Sequence, residues 1–418
     1  MADGFDSELY LRLAGERAVL DPAAQQGPAG LTLSEIAGAL AAIGAIDGGV
    51  ARQIVADYHQ ALALRGLGHL PTFPPRPSPA SRPAVPLVAA RVARCECTFE
   101  RQGIEVTTQY ACLTPDAASV AVILREITSG ALLGSPGRPP GLLPFTVRLA
   151  DDRGAASLAN FSGGGFRSSY HGELTTTQPL ALDTRSIEID GHRVDLCDQP
   201  ALPPVRVEEL RCSNPAERYL WSRMSAGRHG PHGGPVPPQI DIAIDTLVAA
   251  GALSRDDPLI DELRAVLGAF SAQPLTTPVR QPWQSLLHSQ HRRSSRSCIV
   301  PLGIVTPALS GLTICFDALV ITGGDVEAHV RTSSSENRGG QPPEPREAPQ
   351  VGWWAADELG NHYLGAATRV SRGSGGFRGV ISLWPSLDDR AETLRLLPTV
   401  NAERAVIEVP LSDERAAR

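Results

Sequence analysis

The chain is expected to fold as a multidomain α+β protein, a tandem duplication of a small helical domain followed by an antiparallel β-sandwich. Two pairs of segments carry that expectation. Leu40-Ala-Ala-Ile-Gly-Ala-Ile46 returns about 207 residues later as Leu247-Val-Ala-Ala-Gly-Ala-Leu253. Gly163-Gly-Gly-Phe-Arg167 returns as Ser374-Gly-Gly-Phe-Arg378. The first pair sits in sequence of helical period, the second in sequence of strand period, in the same order both times. Composition agrees: 40 Gly and 36 Pro with 5% aromatics suit short strands, turns and Pro-rich spacers. At 418 residues there is chain enough for several cores.

Residues 1–70 read as the first helical domain. Tyr10 and Leu11 open an apolar face, and Thr32-Leu-Ser-Glu35 fits a capping box, with hydroxyl and carboxylate satisfying early amides. Leu33, Ile36, Ala37, Leu40 and Ile43 keep helical spacing, and Asp47-Gly-Gly49 ends that helix. Val50, Ile54, Tyr58 and Leu62 form the next stripe. Residues 71–87 hold too many prolines for a helix or central strand and read as a stiff linker.

Residues 88–200 read as a sandwich. Ile104, Val106, Thr108 and Tyr110 alternate with polar neighbours, and Val120 to Ile127 is an apolar run suited to a central strand. Asp151-Asp-Arg-Gly154 is a hairpin turn, and Gly163-Gly-Gly165 is expected to reverse the chain again. Residues 205–275 repeat the helical domain, with Asp257-Pro258 as an N-cap and first-turn proline. Pro274 to Pro282 reads as a second linker. Residues 290–412 repeat the sandwich, with Arg331 to Gln350 as a long polar loop and Asp357-Glu-Leu-Gly360 matching the earlier Asp-x-x-Gly turn.

Charge and motifs exclude more than they assign. All 38 basic residues are Arg, so Schiff-base chemistry and a phosphate-loop lysine are absent. A net charge of −7 argues against a general nucleic-acid or anionic-membrane binder. Residues 1–65 carry four Arg (12, 17, 52, 65) against eight acids, which argues against DNA reading by the first helices. The acidic start lacks the pattern of a secretory signal, and no apolar run is long enough for a membrane span. Seven Cys without framework spacing suggest free thiols in a reducing cytoplasm.

Several constellations are candidate sites. Gly163, Gly164 and Gly165 with Arg167, and Gly375 and Gly376 with Arg378, could form anion nests; they equally suit tight hairpins with Phe166 and Phe377 as core anchors. Trp353, Trp354 and the basic cluster Arg292, Arg293 and Arg296 could face a protein partner, though the cluster also suits an exposed linker end. His229 and His232 read as a solvated loop rather than a metal site. Cys95 and Cys97, with Cys112 as a third thiol, read as small buried apolar groups rather than zinc ligands. No metal site, cofactor motif or hydrolase signature is found in the sequence.

Tyr10-Leu-Arg-Leu with Leu40 to Ile46, and Trp353 to Gly360 with Arg404-Ala-Val-Ile-Glu-Val-Pro-Leu411, resemble uncharacterised actinobacterial proteins with tandem helical and β-sandwich units. The strand order, with its Asp-x-x-Gly turn and later Gly-rich turn, is similar to immunoglobulin-like modules of bacterial regulatory proteins. The resemblance implies an immunoglobulin-like sandwich and no activity.

The leading functional expectation is a non-catalytic cytoplasmic scaffold or adaptor that binds another protein, with no cofactor. The alternative is a small-ligand or anion-binding regulator using the Gly-rich turns. An enzyme whose site is assembled from distant residues comes third.

Overall fold

A computed structural model describes residues 5–20, 29–64, 90–127, 147–166, 169–176, 178–198, 202–210, 214–226, 237–271, 273–275, 277–288, 295–334, 351–373 and 376–411. The Pro-rich stretch 71–87 lies outside them.

The first half opens with α1 (Ser7–Leu20), α2 (Ala29–Ala42) and α3 (Gly48–Leu64). Nine strands follow: β1 (Arg91–Arg101), β2 (Ile104–Leu113), β3 (Ala118–Glu126), β4 (Val147–Asp151), β5 (Ala156–Phe166), β6 (Ser169–Thr176), β7 (Ser186–Ile189), β8 (His192–Asp195) and β9 (Cys197–Asp198). The second half begins with β10 (Arg206–Glu209), α4 (Pro215–Ala226), α5 (Pro237–Ala249), α6 (Pro258–Phe270) and α7 (Trp283–His288). Its remaining strands are β11 (Cys298–Val305), β12 (Leu312–Thr322), β13 (Asp325–Ser334), β14 (Val351–Asp357), β15 (His362–Gly373), β16 (Gly376–Trp384), β17 (Thr393–Val400) and β18 (Glu403–Pro410).

The strands corrected the expected architecture. They form two large, curled antiparallel sheets, the first ordered β8-β7-β4-β5-β6-β3-β2-β1-β9 and the second β10-β18-β17-β14-β15-β16-β13-β12-β11. Immunoglobulin-like sandwiches need strands divided between two facing sheets. Here each half keeps its strands in one continuous ladder that rolls around its own apolar face. In the first sheet the roll brings β1 back to β8, where Phe99 stacks on His192 with ring centroids 4.4 Å apart. The concave face is filled by Val106, Val120, Leu149, Leu174 and Ile189. Phe316, Leu319, Tyr363, Leu396 and Ile407 fill the second. Strand alternation alone cannot distinguish a rolled sheet from a sandwich, because both bury every second residue.

Nor do the helices form two separate domains. α2 lies against α5, so Ala39 joins the core of the second helical group and Ala250 joins that of the first. The repeated sequence explains the shape of both helix ends. Gly44 and Gly251 each adopt φ +68°. The Gly44 amide donates to the Ala41 carbonyl and Ala45 to Leu40; Gly251 donates to Val248 and Ala252 to Leu247. That paired bonding closes a helix with a left-handed glycine, a conformation that costs a side-chain-bearing residue about 1–2 kcal/mol. Asp47 belongs to the next helix rather than ending the last: its carboxylate accepts from the Gly49 and Val50 amides. Asp257 caps α6 in the same way, accepting from Leu259.

Two more local expectations changed. Glu35 does not close a capping box; it turns inward and is 3% exposed. Gly163, Gly164 and Gly165 do not reverse the chain but lie within β5, opposite Gly172, His171 and Tyr170. A Cβ on Gly163 would fall 2.4 Å from the His171 carbonyl oxygen, so close strand approach, not positive φ, requires glycine there. The two Asp-x-x-Gly turns are where the sequence places them, joining β4 to β5 and β14 to β15, with Gly154 and Gly360 at φ +89° and +84°. Among the described residues no helix is long and apolar enough to cross a membrane.

Candidate functional site

A cavity of about 290 Å³ lies where the second helical group meets the second sheet. Three tryptophans build its apolar wall. Trp221 comes from α4, Trp283 opens α7 and Trp354 comes from β14. Trp221 and Trp283 stack with centroids 5.6 Å apart, and Trp283 meets Trp354 edge to face at 4.9 Å. The Trp354 indole N–H donates to Ser225 Oγ at 3.0 Å, and Ser225 Oγ donates to the Trp221 carbonyl at 2.9 Å. Close approach of β14 to α4 is possible because Gly352 faces Ser225: a Cβ there would lie 3.1 Å from the serine Cβ.

Charge is unevenly distributed around this wall. Arg280 is neutralised. Its Nε donates to Glu262 at 2.8 Å, its Nη1 pairs with Glu217, and its guanidinium lies 5.4 Å from the Trp221 ring centroid. Arg404, from β18, differs. Its Nε donates to Thr399 Oγ1 at 3.1 Å, and among the described residues no carboxylate lies within ion-pairing distance. Burial pushes this guanidinium below its usual range, partly offset by Glu208 on the neighbouring strand. Arg218 also lines the cavity without an ion-pair partner among the described residues. The indole N–H of Trp221 is buried and makes no hydrogen bond among them either.

Trp354 is the one residue singled out from sequence that belongs to this site, and it does not face a partner. Trp353 and Trp354 are 8% and 5% exposed. Neighbours on a strand, they point to opposite faces. Trp353 fills the rolled interior against Phe316, and Trp354 lies beneath the helices. Arg292, Arg293, Arg167 and Gly375 lie outside the described residues, as do His229 and His232. Arg296 is half-buried; its guanidinium bonds the Ala391 carbonyl and its amide donates to Asp389. Gly376 opens β16 opposite Gly373.

Arg378 does not serve an open anion nest. It spans the two sheets, with Nη1 2.5 Å from Glu173 Oε2 and Nη2 donating to Ser119 Oγ at 3.2 Å. Arg331, expected in the polar loop, ends β13 and pairs with buried Asp317 at 2.7 Å; residues 335–350 of that loop lie outside the described residues. The three thiols considered together are apart: Cys95 fills the first sheet's interior, while Cys112 lies on its outer face against the second sheet. Burial pushes the Cys112 thiol up to about 12, which leaves it protonated. Among the described residues no group of three or more His, Cys, Asp or Glu side chains is placed to hold a metal ion.

Sequence reasoning missed Trp221, Trp283, Arg218, Arg280 and Arg404. They come from four separate elements, and no spacing links them. The Arg surplus in composition is spread along the whole chain and marks none of them.

No protein-family model and no curated protein matches the chain. Among solved structures it is similar to a conserved domain protein from Bacillus anthracis, at 12% identity over 73% of this chain and 77% of that one, with a TM-score of 0.18. A likeness that slight carries no argument about fold or function.

Proposed function

We propose that this protein is a small-ligand-binding regulator whose ligand occupies the tryptophan-lined cavity. The observation that supports it is a single helix with two tasks. Glu217, Arg218, Trp221, Ser222 and Ser225 of α4 line the cavity. From another side of α4, Tyr219 donates to Glu35 of α2 at 2.8 Å, and Arg223 Nε donates to the same carboxylate at 2.9 Å. A ligand that prefers one position of α4 therefore biases how the first three helices sit, by as much as its affinity differs between the two positions.

The test is a panel of aromatic carboxylates, amides and amines read by thermal shift and by hydrogen exchange. At least one compound is expected to raise the midpoint of the wild type and not that of Ser222→Trp, which fills the cavity. The same compound should change exchange in α2. A panel in which every shift survives the Ser222→Trp substitution would remove this reading.

A protein-binding adaptor is the second reading, supported by β10. This strand ends the second sheet, pairs only with β18, and is exposed at all four residues. Such an edge accepts an extended segment of another protein by backbone pairing. Val207→Lys, which charges its one apolar position, is expected to release a partner that the wild type retains. Equal retention by both would count against the adaptor.

A further inference from the structure

The cavity proposed above as the ligand site also carries information about ligand charge. The linked clause of the argument is that it rests on that reading. Of the cations around the cavity, Arg280 is already matched by two glutamates. Arg404 and Arg218 are not matched among the described residues, and Glu217, the acid on the wall, is committed to Arg280. A half-buried guanidinium without a counter-charge is costly, and the cost is recovered when an anion supplies it. An ammonium ligand would meet the opposite situation, because the Trp221 face is already occupied by Arg280.

The ligand body follows from the wall. Trp221, Trp283 and Trp354 present flat and edge-on ring surface, which favours a planar apolar group. The buried Trp221 indole N–H offers a donor that nothing among the described residues uses. A volume of about 290 Å³ admits a fused two-ring compound with one polar substituent and excludes a dinucleotide.

We infer that the cavity binds a planar aromatic oxyanion, with Arg404 as its principal counter-ion and Arg218 as a second. Carboxylate and phosphate monoester share the chemistry that a guanidinium fork recognises, and the experiment separates them.

The full-length protein is titrated with 2-naphthoate, 2-naphthyl phosphate, 2-naphthamide and 2-naphthylmethylammonium, read by tryptophan fluorescence. One of the two anions is expected to bind saturably at one per chain, at least tenfold tighter than the amide, and the ammonium more weakly still. Whichever anion binds tighter identifies the oxyanion. Arg404→Gln should weaken that anion tenfold or more while leaving the amide unchanged, and Arg218→Gln should weaken it less. Retained amide binding shows that the variant cavity is intact; if Arg404→Gln does not fold, Arg218→Gln with the anion-to-amide ratio decides. If amide and anions bind alike, or the ammonium binds tightest, the oxyanion assignment is overturned while the cavity reading stands. If none of the four binds differently to wild type and Ser222→Trp, both fail.

Discussion

Replacing Glu35 with alanine is expected to destabilise the chain by about 3–5 kcal/mol, the usual cost of stranding one member of a buried ion pair. Glu35 is 3% exposed and Arg223 13%. The carboxylate also accepts from the Tyr219 hydroxyl, so alanine leaves two donors without an acceptor. The loss should be local in origin. The pair joins α2 to α4, so α1–α3 should become sensitive to limited proteolysis before the sheets do. Urea denaturation and the order of proteolytic cuts check this. A loss below about 1 kcal/mol, the range of exposed pairs, would mean that the pair is hydrated in solution. Glu35→Gln keeps the shape and one acceptor, and should cost less than alanine.

Replacing Arg378 with methionine is expected to cost about 2–4 kcal/mol near neutral pH, somewhat below a fully buried pair because the arginine is partly exposed. Side-chain exposures are 31% for Arg378 and 16% for Glu173. The pair bridges β16 of the second sheet and β6 of the first, beside a dry patch that includes Val92, Tyr110, Ile299 and Val320. Burial holds the Glu173 carboxyl above the usual carboxylate range, and Arg378 is the largest influence pulling it back. Without the arginine it rises further. A carboxyl whose folded value exceeds its unfolded one contributes stability that is present below the unfolded value and lost as pH rises through the folded one. The deficit of Arg378→Met should therefore be small near about pH 4.5, close to the unfolded carboxylate, and should grow toward neutrality. Denaturation midpoints of wild type and variant across that range test it. A deficit independent of pH would mean that Glu173 is ionised in both and that packing alone was lost.

Thus much of the local structure was legible. The spacing of Leu33, Ile36, Leu40 and Ile43 fixes a helix, because that period puts them on one face. Asp257-Pro258 marks a helix start through bonding available within one turn. The Asp-x-x-Gly pairs mark hairpins, because only a short acceptor and a left-handed glycine complete that turn. The repeated Gly-Ala segments end two helices in the same way for a similar reason. All of these depend on neighbours within about five residues.

What the sequence could not state depends on pairs hundreds of residues apart. Whether alternating strands divide into a sandwich or roll into one sheet is decided by which edges meet, and Phe99 on His192 is such a meeting. Whether Glu35 caps its own helix or holds Arg223 is a competition between a nearby amide and a distant guanidinium, which the buried charge pair wins. Trp353 and Trp354 look like one exposed patch in sequence, yet the strand sends one to each face and the packing buries both. The cavity is the extreme case: its tryptophans and arginines come from α4, the 280s segment, β14 and β18, brought together only by the seating of helices on a sheet. By itself the sequence determined the helices, the turns and the paired order of elements, because these are set by short-range bonding. Tertiary structure alone decided the rolled sheets, the shared helical core and the site, because burial is a property of surfaces that meet.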